Sequence, residues 1–186
     1  MNIILFGPQG SGKGTQAELL CEKFGFFYFE SGAYLRRIAE DNPELKKALD
    51  EGNLVPDKEM TSYLTAFFDE KNLYNDILFD GFPRTLEQYQ FLKIWLSQKQ
   101  VKIDLAIVLE ICEEETIKRL VLRKREDDTP EAIKKRLALY HDRTEILIRE
   151  IEKDSKIVRV DGERSIEEIQ KDLVKIVSAE ADDSTN

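Results

Sequence analysis

The chain has 186 residues, of which 41% are hydrophobic and 35% charged. A chain of this length hides about 70% of its surface on folding, enough for one ordinary domain that needs no disulfide or metal staple. With 28 basic against 37 acidic residues the net charge is −9, which excludes a general binder of nucleic acid or anionic membrane, so any polyanion must be held by local basic clusters. In chain order, residues 1–6 are a short apolar run ending at Gly7, the pattern of a buried parallel strand. Residues 15–24 read as a helix with Gly25 as its C-cap, and 26–29 as an aromatic strand. Two short helices are expected at 35–40 and 44–51, the second closed by Gly52. An amphipathic helix covers 58–71, a buried strand 76–80, the turn Gly81-Phe82-Pro83 follows, and 85–98 is helical.

Residues 104–111 form the next strand and 113–123 the next helix. Thr129-Pro130-Glu131 is a strong helix start, with an N-cap, a proline at the first position and an acid in the first turn; that helix is expected to run to 152. Residues 157–160 are the last strand, and Ser165-Ile166-Glu167-Glu168 is a capping box that opens the last helix. The small, acidic tail from 178 to 186 is expected to be disordered. Five buried strands alternating with helices define an α/β fold, a five-stranded parallel sheet with helices on both faces. The stretch 31–56 has no strand and reads as a helical excursion from the sheet. Cys21 and Cys112 belong to no C-x-x-C, which fits a reducing cytosol and excludes a sequence-local zinc site. No apolar run approaches ~18 residues, and the N-terminus has neither the basic nor the long apolar region of a signal peptide, so a cytoplasmic location is expected.

Gly7-Pro8-Gln9-Gly10-Ser11-Gly12-Lys13-Gly14-Thr15 follows a strand and opens a helix, the context of a phosphate-binding loop. Glycines let successive N–H groups wrap a phosphate, the helix N-terminus adds partial positive charge, and Lys13 would bridge the β- and γ-phosphates. The plainer alternative is a glycine-rich tight turn with an exposed lysine. The general pattern has Ser or Thr directly after the lysine; here Gly14 stands there and Thr15 follows. Gly-Lys-Gly-Thr-Gln is instead the form of nucleoside monophosphate kinases, and from this point the sequence resembles adenylate kinases over nearly its whole length.

The resemblance implies a single P-loop kinase domain with its core at 1–29, 57–121 and 129–178, a monophosphate-binding excursion at 30–56, a minimal lid at 122–128 and a disordered tail at 179–186. It implies a donor ATP on Gly10, Ser11, Gly12, Lys13, Gly14 and Thr15, with Arg119, Arg123, Gly162 and Arg164 around it. Asp80-Gly81-Phe82-Pro83-Arg84-Thr85-Leu86-Glu87-Gln88 is similar to the family's D-G-F-P-R-T-x-x-Q. There Asp80 would hold magnesium, through water, and Arg84 would fork onto a phosphate. Gln88 would read the adenine edge, although Thr85-x-x-Gln88 is also a capping box. Ser31-Gly32-Ala33-Tyr34-Leu35-Arg36 is similar to [ST]-G-D-x-L-R, with Ser31, Gly32 and Arg36 at the monophosphate. Ala33 replaces the family's aspartate, which helps order water around magnesium. Arg36 near the start of the expected helix is poorly explained by helix electrostatics, and a bound phosphate would explain it.

Gly52-Asn53-Leu54-Val55-Pro56-Asp57 is similar to G-x-L-V-P-D, which implies that Asn53, Leu54 and Val55 close the AMP pocket along with Gly81, Phe82 and Pro83. The alternative is a C-cap, an extended loop and an N-cap at Asp57, and both readings can hold together. The basic run Ile117-Lys118-Arg119-Leu120-Val121-Leu122-Arg123-Lys124-Arg125, then Asp127-Asp128 and Lys134-Lys135-Arg136, reads either as a solvated helix face or as a cage for a transferring phosphoryl group. In the cage reading the resemblance makes Lys13, Arg84, Arg123, Arg125 and Arg136 catalytic, with Arg125 and Arg136 also reaching AMP. Only Lys124 separates Arg123 from Arg125, so the lid has no room for the zinc-binding insertion of longer relatives. His141, the single histidine, reads as a surface residue.

No Ser–His–Asp set and no metal-ligand cluster appears, so the equipment suits direct in-line phosphoryl transfer by positioning and charge stabilisation. The expected reaction is Mg·ATP + AMP ⇌ 2 ADP, by a cytoplasmic monomer with Mg²⁺, without zinc, and with no nucleic-acid or membrane partner. Three alternatives stay open: a UMP/CMP-type kinase, separated by Gln88; a P-loop ATPase or switch, which would not need Arg36, Arg84 and Gln88 together; and a non-enzymatic interaction module, for which only the acidic tail speaks.

Overall fold

The computed structural model describes residues 1–123, 128–153 and 155–183. Strands β1 (Ile3–Phe6), β2 (Phe27–Glu30), β3 (Ile77–Asp80), β4 (Leu105–Glu110) and β5 (Ile157–Asp161) form one parallel sheet in the spatial order β2-β3-β1-β4-β5. The central strand β1 sets Ile3 against Leu78 on one side and Leu105 on the other, and is buried throughout, as a strand covered on both faces must be. Its alternate side chains feed two cores. Ile4 and Phe6 join Phe29, Phe79 and Val108 beneath α4 (Asp57–Lys71), α5 (Leu86–Gln98) and α8 (Glu145–Ile151). Ile3 and Leu5 join Leu78, Ile107 and Leu109 beneath α1 (Lys13–Phe24) and α9 (Ile166–Asp183). Phe29 and Phe68, 4.9 Å apart, tie the edge strand β2 to α4.

Between β2 and α4 the chain runs through α2 (Ser31–Ala39) and α3 (Pro43–Asp50) with no strand. After β4 come α6 (Glu113–Arg123) and α7 (Pro130–Leu139), then a π-helical turn, Tyr140–Thr144, that leads into α8. Gly25 caps α1 with φ of +77°, and Thr129 Oγ1 accepts from Ala132 N at 3.2 Å to cap α7, both as the sequence implies. Ser165 and Glu168 form the reciprocal capping box: Ser165 N donates to Glu168 Oε2 at 3.1 Å and Glu168 N to Ser165 Oγ at 3.3 Å.

Four expectations are corrected. Helix α1 begins at Lys13 rather than at residue 15, which brings the loop lysine into the first turn. Helix α2 begins at Ser31 rather than at 35, because β2 passes into it with Glu30 as the shared boundary residue. Arg36 therefore lies in the last turn, where the helix dipole favours a cation, and the electrostatic argument for a phosphate there fails. Pro56, not Asp57, is the N-cap of α4, and Asp57 is its first residue. The tail from 178 is helical through Asp183: Ile169, Leu173 and Val177 bury one stripe of α9, Lys156 Nζ pairs with Glu180 Oε2 at 2.8 Å, and the alanines there favour helix. No helix among the described residues is long and apolar enough to cross a membrane.

Candidate active site

The carboxyl ends of the strands open into a cleft of about 470 Å³. Ligands of doubly wound sheets settle at this edge, beside the strand from which the chain turns to opposite sides. Here that strand is β1, and the loop after it forms one wall, with Gly10, Gly12, Lys13, Gly14 and Thr15 lining the cleft. Gly10 has φ of +90°, and a Cβ on it would stand 3.0 Å from the Thr116 carbonyl of α6, so the loop takes this shape only with glycine. The Ser11 side chain is fully buried under the loop and its Oγ has no hydrogen-bond partner. Lys13 folds back, its Nζ donating to the carbonyls of Gly7 at 2.7 Å and Pro8 at 2.9 Å.

The end of β3 supplies the floor. Asp80 is buried, and its Oδ2 accepts from the Tyr28 hydroxyl at 3.0 Å. Burial pushes the Asp80 carboxyl up and the Lys13 ammonium down, and each of the two charges opposes the other's shift. Gly81 takes φ of +76°, and a Cβ there would stand 2.6 Å from Ser31 Oγ, so the strand end and the start of α2 touch through a glycine. Arg84 returns to this turn, its Nε donating to the Gly81 carbonyl at 2.7 Å; its burial lowers the guanidinium from its ordinary value. Pro83 lines the cleft, whereas Phe82 is buried behind it in the core.

The opposite wall is the excursion. Ser31, Gly32 and Arg36 of α2 line the cleft, as do Asn53, Leu54 and Val55. Ser31 Oγ is buried without a partner, and Arg36 Nη2 donates to Glu30 Oε1 at 2.9 Å. Gln88, buried at the start of α5, also reaches the cleft. Its N–H caps onto Thr85 Oγ1 at 3.2 Å, its Oε1 accepts from Arg84 N at 2.8 Å, and its Nε2 donates to Asp57 Oδ1 at 2.7 Å. The capping-box reading is thus half realised: the return bond goes to Arg84 N rather than to Thr85 N.

Arg119 and Arg123 share a face of α6 and line the cleft with Arg136 of α7. Arg123 grips Asp128 with both arms, Nε to Oδ2 at 2.9 Å and Nη2 to Oδ1 at 3.0 Å, and Arg136 Nη1 reaches the same carboxylate at 3.1 Å. Arg119 Nη1 donates to the Gly162 carbonyl at 2.9 Å, which fastens α6 to the end of β5. Gly162 stands behind the loop, where a Cβ would lie 3.4 Å from the Ser11 carbonyl. Arg164 is not brought to the cleft: its Nη1 donates to Asp172 Oδ2 at 2.8 Å on α9. Arg125 lies outside the described residues.

Sequence reasoning passed over Tyr28, Glu30, Tyr140 and Thr144, all of which line the cleft. The last two lie on the π-helical turn, which rotates the helix so that Thr144 Oγ1 donates to the Arg84 carbonyl at 3.2 Å. π-Turns inside α-helices often mark functional positions. No pattern of hydrophobic spacing announces this one. Thr144→Val keeps the shape and removes the bond to a part-buried carbonyl, so it should cost about 1 kcal/mol. In a domain of this size that is a fall in Tm of about 2–4 °C. A melting curve identical to that of the parent would show that the bond contributes nothing.

A parallel sheet with a phosphate loop on its central strand, and a second wall bearing serine, glycine and arginine across one cleft, defines a P-loop nucleoside monophosphate kinase. The family model for adenylate kinase matches residues 5–156. An adenylate kinase of Bacteroides fragilis is 37% identical over 185 residues, covering 95% of this chain and 98% of its own length. Those of Bacteroides thetaiotaomicron and Nitrobacter hamburgensis are 36% and 35% identical and cover 95% of the chain each, and 98% and 92% of their own lengths. The chain belongs to the adenylate kinase family, and it is an enzyme with adenylate kinase activity.

Proposed function

We propose that the two walls of the cleft are the two nucleotide subsites of the reaction ATP + AMP ⇌ 2 ADP. The observation that carries this is the convergence of Lys13, Arg36, Arg84, Arg119, Arg123 and Arg136 on one cleft. Its walls each open with a helix N-terminus bearing a buried, unpartnered serine hydroxyl, Ser11 before α1 and Ser31 in α2. On the donor side, Gly10 to Thr15 wrap the phosphates of ATP with backbone N–H groups, and Lys13 leaves its two carbonyls to follow the β- and γ-phosphates. Arg119 and Gly162 flank the adenosine of the donor. On the acceptor side, Ser31, Gly32 and Arg36 hold the AMP phosphate while Asn53, Leu54, Val55, Gly81, Pro83 and Gln88 enclose its base.

Arg84, Arg123 and Arg136 stand between the subsites and stabilise the charge that spreads over the transferring group, with Arg125 as a further member. No protein atom bonds to phosphorus, so the chain's task is alignment, charge stabilisation and exclusion of water. Arg123 and Arg136 must exchange Asp128 for phosphate to act.

Family membership implies magnesium with ATP. The buried carboxylate of Asp80, a hard oxygen donor held by Tyr28 at the strand end beside the loop, fits that ion. When bound, it neutralises charge on the β- and γ-phosphates. Ala33 adds no acid, so Asp80 carries this task with the loop. The proposal includes no zinc, because only Lys124 separates Arg123 from Arg125 and leaves no room for a zinc-binding insertion. EDTA should therefore stop transfer, reversibly on addition of Mg²⁺, and leave Tm unchanged; a large fall in Tm with chelator would contradict this. A cytoplasmic monomer with no nucleic-acid or membrane partner completes the reading. A coupled assay of ATP against AMP, CMP, UMP and GMP tests the assignment of subsites, and transfer to CMP or UMP in preference to AMP would overturn it.

A further inference from the structure

We infer that Glu30 is a built-in anion of the acceptor's phosphate subsite, which holds Arg36 when AMP is absent and sets AMP affinity by having to be displaced. The inference rests on the reading of Ser31, Gly32 and Arg36 as that subsite.

Glu30 is the last residue of β2 and the N-cap of α2, and its Cα pairs with that of Asp80 across the sheet. A side-chain oxygen at this position can satisfy an open N–H group of the helix, most readily from Ser, Thr, Asp or Asn. Glu30 makes no such bond. Its Oε1 instead accepts from Arg36 Nη2 at 2.9 Å, above the first turn of α2. A Cβ on Gly32 would lie 3.2 Å from Arg36 Nη1 and 3.6 Å from Glu30 Oε1, so the pair sits directly over the backbone that a phosphate would approach. Ser31 Oγ, on the neighbouring residue, is buried with no hydrogen-bond partner and is a further oxygen that a phosphate could engage.

The pair is also built to open. Its side chains are 34% and 37% exposed, against 2% for Asp128, the carboxylate that holds Arg123 and Arg136. A half-exposed pair between single charges is weak and screened by salt. A phosphate monoester brings up to two charges and three acceptor oxygens and can engage Arg36, Ser31 and the α2 N–H groups together. Exchange therefore favours the doubly charged phosphate, and Glu30 turns out to solvent as it yields. Glu30 acts through Arg36 and is a positioning residue.

The test is the Kd of AMP alone, by calorimetry, for the parent enzyme, Glu30→Gln, Glu30→Asp and Arg36→Ala, with adenosine as a competitor that lacks the phosphate. Glu30→Gln should lower the AMP Kd up to about 5-fold, the worth of a half-exposed pair. The adenosine constant should not move, the gain should shrink at high salt, and Glu30→Asp should return towards the parent. An AMP Kd for Glu30→Gln equal to or above that of the parent, or an equal gain for adenosine, overturns the inference. Arg36→Ala separates the two readings: it should weaken AMP strongly. If it does while Glu30→Gln gives no gain, only the role of Glu30 is wrong; if Arg36→Ala binds AMP normally, the subsite itself is wrong and the inference falls with it.

Discussion

Lys13→Met should lower kcat by about 10²-fold or more while the enzyme stays folded, since one preorganised charge is lost from a water-poor site. The ammonium now binds the carbonyls of Gly7 and Pro8. Methionine leaves both carbonyls without that donor but also removes a buried charge, so the two effects on stability oppose each other and Tm should move little. The charge of Lys13 also holds down the Asp80 carboxyl, which burial pushes up. Without the lysine, Asp80 rises further, and the acid side of the residual pH–rate profile should shift to higher pH. Single-turnover rates across pH on the folded variant check both points. A near-normal kcat would remove Lys13 from the reaction, and with it the reading of the loop as the donor subsite.

Much of this architecture is legible in the sequence because its signals are local. Buried parallel strands are continuous apolar runs, and the ends of β1 and β3 are marked by glycines whose positive φ leaves little choice of residue. The cations of the cleft were found because spacing and resemblance both select them. The features that escaped are tertiary. The pattern predicts a helix from residue 35, but the structure begins α2 at Ser31, packed against Gly81, and so moves Arg36 to its last turn. The π-helical turn adds no hydrophobic signature, so Thr144 is an ordinary helix residue until its bond to Arg84 is seen. The small, acidic composition of the tail predicts disorder, but its helix is decided by the stripe Ile169, Leu173 and Val177 further back. The sequence offers Asp57 as a cap, and the structure gives its carboxylate to Thr85 and Gln88 instead.

That last exchange sharpens what Gln88→Leu should do. The amide is buried and serves the scaffold through Asp57 and Arg84 N, and it also faces the acceptor side of the cleft. Two losses are therefore expected together. Leaving Asp57 Oδ1 and Arg84 N short of a partner should cost stability of about 1–3 kcal/mol, a fall in Tm of roughly 2–4 °C for each kcal/mol. If Gln88 pairs with the adenine edge as proposed, removing it should also raise KM for AMP about 5- to 150-fold, the same 1–3 kcal/mol expressed as binding. KM for ATP should hardly change, since the donor wall does not include α5. Gln88→Glu separates the two functions. Its carboxylate can still accept from Arg84 N but can no longer donate to Asp57 or to the base, and it sets a negative charge against that of Asp57. It should lose AMP affinity as badly as leucine while keeping the bond that orders the Arg84 backbone. The melting curves and both KM values of the two variants decide the matter: lowered Tm with an unchanged KM for AMP would confine Gln88 to the scaffold and reopen the choice of acceptor base.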